Sequence, residues 1–456
     1  MIKIPKSIEK VFTLLFDHGA YPLIVGGYVR DHFLKRESKD IDIEVYGINS
    51  FKKLRAALEE LAPVHEVGKN FGVLKMDYDG YDLDISLPRT EKKTGKGHTG
   101  FEVQTNGQLD FKTAAKRRDF TMNAIGYDTK SGYFIDPYNG QKDIEAGVVR
   151  HINDDTFVED PLRILRAVQF CARFNFTLNA NTLKLCQNMV EENMLEELPA
   201  ERIFQEYKKL LLRANKPSQG FELLNKMKAL APELKELQGV VQDETYHPEG
   251  DVWIHTMMSI DAMAELRTGD EKRDITLMLA TLCHDFGKVE ATEVIKGKIR
   301  SIGHENMLKP TQTFIQHLSD EKALLDEIET LIKEHLMPSA LFKQKSKDPA
   351  IRRLSTRVNI ENLLLLARAD HFGRTTKDAQ SKTYKAGDWL AERAKKLKVT
   401  QAQPEAFLLG RHLIAEGMKP GLEFKVILKE AYEHQLDGKI RGEKSAVNWL
   451  RKYLKG

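Results

Sequence analysis

Hydrophobic and polar positions change their period several times along this chain, and the changes divide it. From residue 5 to 17 apolar residues recur at helical spacing, and YPLIV at 21–25 is a short apolar run closed by Gly26 and Gly27, the pattern of a buried strand. Helical spacing resumes near Val29, and DIDIEVYG from Asp40 to Gly47 alternates polar and apolar as a half-buried strand does. FGVLKM at 71–76 and YDLDIS at 81–86 predict two further strands, so the first part of the chain reads as a small α/β head. Residues 90–100, TEKKTGKGHTG, hold three glycines and no apolar period, which predicts a mobile basic loop. A short helix carrying AAKRRDFTMNAI follows, then a strand pair and the turn DPYNG at 136–140.

Beyond Asp160 the period is helical. PLRILRAVQFCARF, NTLKLCQNMV and ERIFQEYKKLLL fill the stretch to about residue 215, a second helical block runs from about 250 to 375, and a basic helical segment closes the chain over 376–456. GVVQDETYHPEG, from Gly239 to Gly250, reads as the boundary loop between the two blocks, and no internal repeat is visible. The expected fold class is therefore α+β, a mixed head followed by helices.

Composition sharpens this outline. With 456 residues, 41% hydrophobic and 30% charged, the chain is too long for a single core and has the balance of a globular protein. A formal charge of only +3 conceals basic clusters at Lys92, Lys93 and Lys96, at Lys116, Arg117 and Arg118, and between Lys343 and Arg357. Such clusters either follow a phosphate backbone or form a solvated face. The N-terminus, MIKIPKSIEKVFTLLF, lacks the pattern of a signal peptide, and no apolar run approaches the roughly 20 residues of a membrane span, so a cytoplasmic protein without a membrane partner is expected. Cys171, Cys186 and Cys283 stand apart in apolar surroundings and read as reduced core residues. Self-association is compatible with the sequence and not required by it.

Candidate chemistry gathers in three places. Asp40 and Asp42 lie two apart on a strand and leave the same face, where two carboxylates repel unless a divalent cation joins them. Asp84 on a neighbouring strand offers a third carboxylate, with Asp82 as its rival; a water-facing edge strand would show the same spacing. Gly26 and Gly27, between a strand and a helix, let backbone N–H groups approach a phosphate, and Arg30 and Asp31 open that helix.

The stretch LIVGGYVRDHFLKRESKDIDIEVYG resembles the first signature of the polymerase-beta superfamily, in its tRNA nucleotidyltransferase and bacterial poly(A) polymerase branch. KRRDFTMNAIGYD, at Lys116 to Asp128, is similar to the second signature, and FIDPYNGQKDIEAGVVRHI extends the likeness over the whole head. The resemblance implies a polymerase-beta-like head in which Asp40 and Asp42 hold two Mg2+ ions. It further implies that Gly26, Gly27, Arg30, Arg117, Arg118, Asp119 and Asn123 serve the nucleotide.

Glu159, Asp160 and Arg163 form E-D-x-x-R at the start of a helix, with Asp160 and Arg163 on one face. An Asp only accepts hydrogen bonds and an Arg only donates. Cytosine and adenine each set an amino donor beside a ring-nitrogen acceptor, so this pair can meet CTP and ATP and reject guanine and uracil. Asp160 before Pro161 is also the shape of a simple helix cap. The motif resembles the base-selecting element of class II tRNA nucleotidyltransferases, and Arg166, Arg173 and LPAERIFQEYKKLL resemble that family's neck.

The third set lies in the second helical block: His255, the pair His284 and Asp285, His304, His335 and Asp370. Imidazole and carboxylate together suit a divalent centre of Ni2+, Mn2+, Mg2+ or Zn2+. The pair inside LMLATLCHDFGK is the unusual one, because burying such groups unpaired is costly. The set resembles the HD phosphohydrolase superfamily, and its order resembles the tail of gammaproteobacterial-type CCA-adding enzymes. That likeness implies His255, His284, Asp285 and Asp370 as core ligands, His304 and His335 as further metal or phosphate residues, and Lys288 as a phosphate contact.

Together these readings predict a head at 1–140, a helical neck and body with the base-selection motif at 141–245, an HD domain at 246–375 and a tRNA-contacting tail at 376–456. The expected catalytic residues are Asp40, Asp42, Asp84 and Asp285, with tRNA, CTP and ATP as partners and Lys92, Lys93, Lys96 and Arg173 against RNA. The alternatives are a partial CC-adding or A-adding enzyme, a poly(A) polymerase, and an RNA-binding HD protein with an inert head.

Overall fold

A computed structural model describes residues 2–67, 72–93 and 101–455, with side chains described for all of these except 91–93 and 101–103. The chain forms two compact units, residues 1–214 with 219–230, and 215–218 with 231–456.

The first unit begins with the helix Lys6–Asp17 and then builds one mixed sheet. Its strands are β1 (Tyr21–Val25), β2 (Asp40–Tyr46), β3 (His65–Val67), β4 (Val73–Tyr78), β5 (Tyr81–Ser86), β8 (Gly126–Asp128) and β9 (Phe134–Ile135), while β6 (Arg89–Lys93) and β7 (Phe101–Thr105) form a separate ribbon. The spatial order is β3-β4-β5-β2-β1-β8-β9, and β2 with β5 is the parallel pair. β1 was readable as a short apolar run, buried from Pro22 to Val25, and β2 and β5 by alternation: on β2 Ile41 and Ile43 are buried, whereas Asp40 is exposed and Asp42 half-buried.

Two local expectations need correction. Residues 90–93, expected as the start of a loop, join Arg89 in a strand that pairs antiparallel with 101–105, from Arg89 opposite Thr105 to Lys93 opposite Phe101. A two-stranded ribbon need not bury a face, so its polar strand carries no apolar period to read. Lys92 and Lys93 lie on β6 with their side chains outside the description, and Lys96 lies outside the described residues altogether. The helix expected to carry AAKRRDFTMNAI spans only Phe111–Ala115, followed by a turn and one 3-10 turn at Thr121–Asn123. Past this end the Asp119 carboxylate accepts from the Phe120 N–H at 2.8 Å, a local bond that favours a turn there over helix, and from the Asn123 side-chain amide at 2.9 Å.

The helices Leu162–Phe174 and Ala200–Arg213 complete the part of this unit that matters for the site. The second unit is helical apart from one hairpin, β10 (Thr292–Ile295) with β11 (Lys298–Ser301). Its two-residue turn places Lys296 at φ 50° and Gly297 at φ 72°, the left-handed pair that a tight hairpin demands. Helices Val252–Glu265, Glu271–Cys283, Lys322–Glu334 and Ile360–Phe372 surround the core, and the last residues pack a small core of their own around Leu413, Ile427 and Leu450. Among the described residues no helix is long and apolar enough to cross a membrane.

Candidate active site and metal centre

Strand register assembles the head's acids. Asp42 stands opposite Asp84, and Asp40 opposite Asp82. All four line a cleft of about 850 Å³ whose basic lining includes Arg166, Arg173, Lys209 and Arg213. Burial pushes the Asp42 carboxyl above the usual carboxylate range and Asp84 adds to the push, against the pull of Arg118 and the Gly27 N–H. Asp84 is also 3.2 Å from Lys75. Asp40, Asp42 and Asp84 do not converge as a tight trio: among the described residues the close His and carboxylate groups all lie in the second unit.

Gly26 is required by its surroundings. Its φ is 71°, and a Cβ there would stand 2.9 Å from Asp42 Oδ2 and 3.1 Å from an Arg118 guanidinium nitrogen. The glycine therefore lets the backbone run directly beneath the acid and the arginine. That arginine belongs to a cavity of about 580 Å³ lined by Gly26, Gly27, Arg30, Asp42, Arg89, Arg117, Arg118, Asp119, Asn123, Asp160, Arg163, Arg166 and Arg202. Every nucleotide-binding candidate from the sequence is among them.

Their contacts separate lining from bracing. Arg30 is buried, gives Asp31 two bonds at 2.9 and 2.7 Å, reaches Asn123 at 2.8 Å and stacks over Phe170 and Phe174. Asn123 passes the chain to Asp119, whose other oxygen meets Arg166 at 2.6 Å. Burial would raise the Asp119 carboxyl, but Arg166 and the Asn123 amide outweigh it and hold the group below the usual range. Arg163 donates to the carbonyls of Thr156 and Arg117, while Asp160 accepts from the Leu162 N–H at 3.2 Å and faces Arg202 at 3.4 Å. Asp160 thus touches the helix start as a cap would and also lines the cavity beside Arg163.

Glu44 escaped the sequence reading. It is fully buried on β2, two residues beyond Asp42, and lies 3.4 Å from Arg117 and 3.3 Å from Arg118 while accepting the Tyr46 hydroxyl at 2.5 Å. Both arginines hold its carboxyl below the ordinary value despite burial. The signal was present as the third acid of the D-I-D-I-E alternation, but its partners lie more than 70 residues away.

The second unit brings its six candidates together. His255, His284, Asp285, His304, His335 and Asp370 are all buried, and they form two close groups, His255 with His284 and Asp370, and Asp285 with His304 and His335. Asp285 reaches both, with one oxygen 3.3 Å from His284 Nε2 and the other 3.3 Å from His304 Nε2. Helix endings explain the aim of the rings. His284 and His335 cap the helices Glu271–Cys283 and Lys322–Glu334, where Nδ1 meets the carbonyl three residues back, Thr281 at 2.7 Å and Ile332 at 2.5 Å. His304 does the same with Ser301, at the end of the hairpin, at 2.7 Å. With Nδ1–H committed to carbonyls, each ring presents a bare Nε2, and those of His284 and His304 are buried without a hydrogen bond. Burial and the neighbouring rings push His335 down to about 3, keeping it neutral. A buried set of bare imidazole nitrogens and carboxylates fits a divalent metal better than it fits a packed core.

Gly287, in the HDFG segment, is another close approach: a Cβ there would stand 2.1 Å from the His304 carbonyl oxygen. The site opens into a cavity of about 350 Å³ lined also by His247, Lys288, Arg300, Lys343 and Arg374. Lys288 lies 2.8 Å from Asp285 and Arg374 2.7 Å from Asp370. His247 and Glu249 belong to the stretch read as a boundary loop. A histidine and a glutamate just ahead of the helix carrying His255 were the available hint.

Residues 22–150 match the profile of the poly A polymerase head domain, and residues 175–239 that of the probable RNA and SrmB-binding site of polymerase A. The multifunctional CCA protein of Neisseria meningitidis is 33% identical over 408 residues, covering 86% of this chain and 93% of the relative. That of Stenotrophomonas maltophilia is 39% identical over 271 residues, covering 58% of this chain and 63% of the relative. Among solved structures, a Bacillus stearothermophilus CCA-adding enzyme in complex with CTP aligns over 100% of this chain and 98% of its own, with a TM-score of 0.70 at 21% identity. One from Thermotoga maritima complexed with tRNA aligns over 99% and 96%, with a TM-score of 0.62 at 21% identity. At 33% identity over 408 aligned residues that span nearly all of a curated relative, the chain belongs to the CCA-adding enzyme family of class II nucleotidyltransferases.

Proposed function

We propose that this chain adds or repairs the 3′-terminal CCA of tRNA from CTP and ATP without a nucleic-acid template, and that its second unit hydrolyses phosphate esters at RNA ends. The observation that carries the first part is the shared cavity: acceptor-only Asp160 and donor-only Arg163 line the same 580 Å³ space as Asp42 and Arg118. A nucleotide held there has its base against the first pair and its phosphates against the second.

The head's oxygen donors suit Mg2+, which when held by Asp40 and Asp42 supplies charge neutralisation at the reacting phosphate and polarises the attacking 3′ hydroxyl. The protein's own residues do the rest. Arg117 and Arg118, each paired with the buried Glu44, receive the triphosphate and stabilise the departing pyrophosphate. Gly26 clears space for the phosphates, and the Arg30–Asn123–Asp119–Arg166 chain keeps the cavity wall rigid. Arg173 and the lysines at 92, 93 and 96 serve the RNA. Asp84 stands beside Asp42 as the third acid.

For the second unit, the bare Nε2 atoms around Asp285 support an HD centre of Ni2+, Mn2+, Mg2+ or Zn2+ at residues 246–375. Such an ion acidifies a bound water. Lys288, Arg300 and Arg374 offer a phosphate its charge partners, and 2′,3′-cyclic phosphates and 2′-phosphates are the proposed substrates. A cleft lined by Lys347, Arg352, Arg393 and Arg441 supports tRNA contact by the tail.

Base selection is tested with Arg163→Ala on tRNA lacking CCA, supplying each of the four nucleotides alone. Loss of this donor removes about 1–3 kcal/mol of discrimination, roughly tenfold or more, at little change in Mg2+ dependence. Unchanged preference for CTP and ATP rules the role out.

A further inference from the structure

Four histidines surround the metal centre, and three of them are aimed by backbone carbonyls at helix or hairpin ends. His255 cannot use that device. It sits in the first turns of the helix Val252–Glu265, whose carbonyls there are already engaged by the helix and by the Thr256 hydroxyl. Glu249 Oε1 lies 2.9 Å from His255 Nδ1, a charge contact outside hydrogen-bond geometry that makes this carboxylate the acceptor at hand to set the ring's tautomer. With Nδ1 turned toward Glu249, His255 Nε2 is hydrogen-bonded to Asp370 at 3.1 Å and lies 3.7 Å from Asp285.

The same glutamate oxygen accepts from His247 Nδ1 at 2.8 Å, and its second oxygen accepts from the Thr375 N–H at 3.3 Å. The Glu249 side chain is only 1% exposed. A carboxylate so deeply buried is costly unless its bonds are made, and these bonds tie the loop before one ligand to the turn after another. His247 shares the cavity with Asp285 and Lys288, and with Nδ1 held by Glu249 its Nε2 is the nitrogen available to a ligand there.

We propose that Glu249 is a positioning residue for the metal centre: it turns His255 toward the ion and, on the same oxygen, holds His247 off the ion and against the substrate. The proposal rests on the HD reading above. Its alternative is that His247, Glu249 and His255, which lie close enough to share an ion, bind a metal of their own.

The test uses the full-length protein and Mn2+ titrated into it, followed by electron paramagnetic resonance, with thermal melts on every variant. Glu249→Gln should weaken Mn2+ affinity about 10–100-fold while reaching wild-type stoichiometry at excess Mn2+, which a misfolded centre would not do. His247→Ala should keep Mn2+ affinity within about twofold and raise KM for a 2′,3′-cyclic nucleotide. His284→Ala, a direct ligand change, should lower the stoichiometry. Wild-type affinity in Glu249→Gln overturns the positioning role. A His247→Ala loss of stoichiometry equal to that of His284→Ala overturns it in favour of a separate ion. If the wild-type protein takes up no Mn2+ that His284→Ala removes, the HD reading itself fails and the proposal falls with it.

Discussion

Asp42 and Glu44 leave the same face of β2 two residues apart, yet burial leaves one carboxyl raised and two arginines hold the other down. The contrast suits different tasks. Asp42 lacks a full set of partners within the protein, whereas Glu44 is spent on Arg117 and Arg118. Asp42→Asn should therefore lower nucleotide transfer by about 10³-fold or more with little change in the melt, since the group is asked to stabilise transition-state charge. Gel resolution of single additions checks this, and near wild-type transfer at saturating Mg2+ contradicts it. Glu44→Gln should instead cost stability, about 3–5 kcal/mol in a denaturant titration, by leaving two arginines without their counter-charge. Asp119 gives a pH prediction whose sign follows from its depressed carboxyl. A carboxylate held below its unfolded value of about 3.9 contributes stability above that pH and loses it as pH falls through the folded value. Melting temperature should drop steeply below about pH 4, and Asp119→Asn should flatten that drop; an unchanged acid profile would remove Asp119 from the account.

At the scale of elements, legibility followed distance along the chain. β1 was readable as an apolar run closed by glycines, and β2 and β5 because each carries its own alternation. The β6–β7 ribbon was not, because TEKK on β6 is polar throughout and offers no apolar period to read. After the helix Phe111–Ala115 the chain makes a turn in which Asp119 binds the Phe120 N–H, a local side-chain bond that apolar period does not record. Among site residues, those in compact motifs such as Asp40, Asp42, His284 and Asp285 could be named from the sequence, whereas Glu44 and Glu249 acquire their meaning only from partners on other elements. The hairpin β10–β11 is a similar case: it delivers the Ser301 carbonyl that aims His304, and Gly287 leaves room for the His304 backbone. Gly287→Ala should therefore displace His304, lowering Mn2+ uptake by the full-length protein while tRNA extension persists. Wild-type uptake would show that the His304 segment shifts without consequence.

Across the whole molecule, the two candidate centres lie in different compact units and share no residue. Their activities should separate. Asp285→Ala should abolish hydrolysis of a 2′,3′-cyclic nucleotide and leave CCA addition within about twofold, since Asp285 is the acid that joins both halves of the metal centre. Retained hydrolysis would move that chemistry elsewhere. The central claim concerns the head, and the most direct measurement supplies the purified protein and Mg2+ with three labelled tRNAs, ending before CCA, after C and after CC. CTP and ATP are given separately and together, and products are resolved to single nucleotides. The account predicts completion of CCA on all three and no addition beyond it. Arrest after CC, addition of A alone, or long A tails on unrelated RNA would each contradict it.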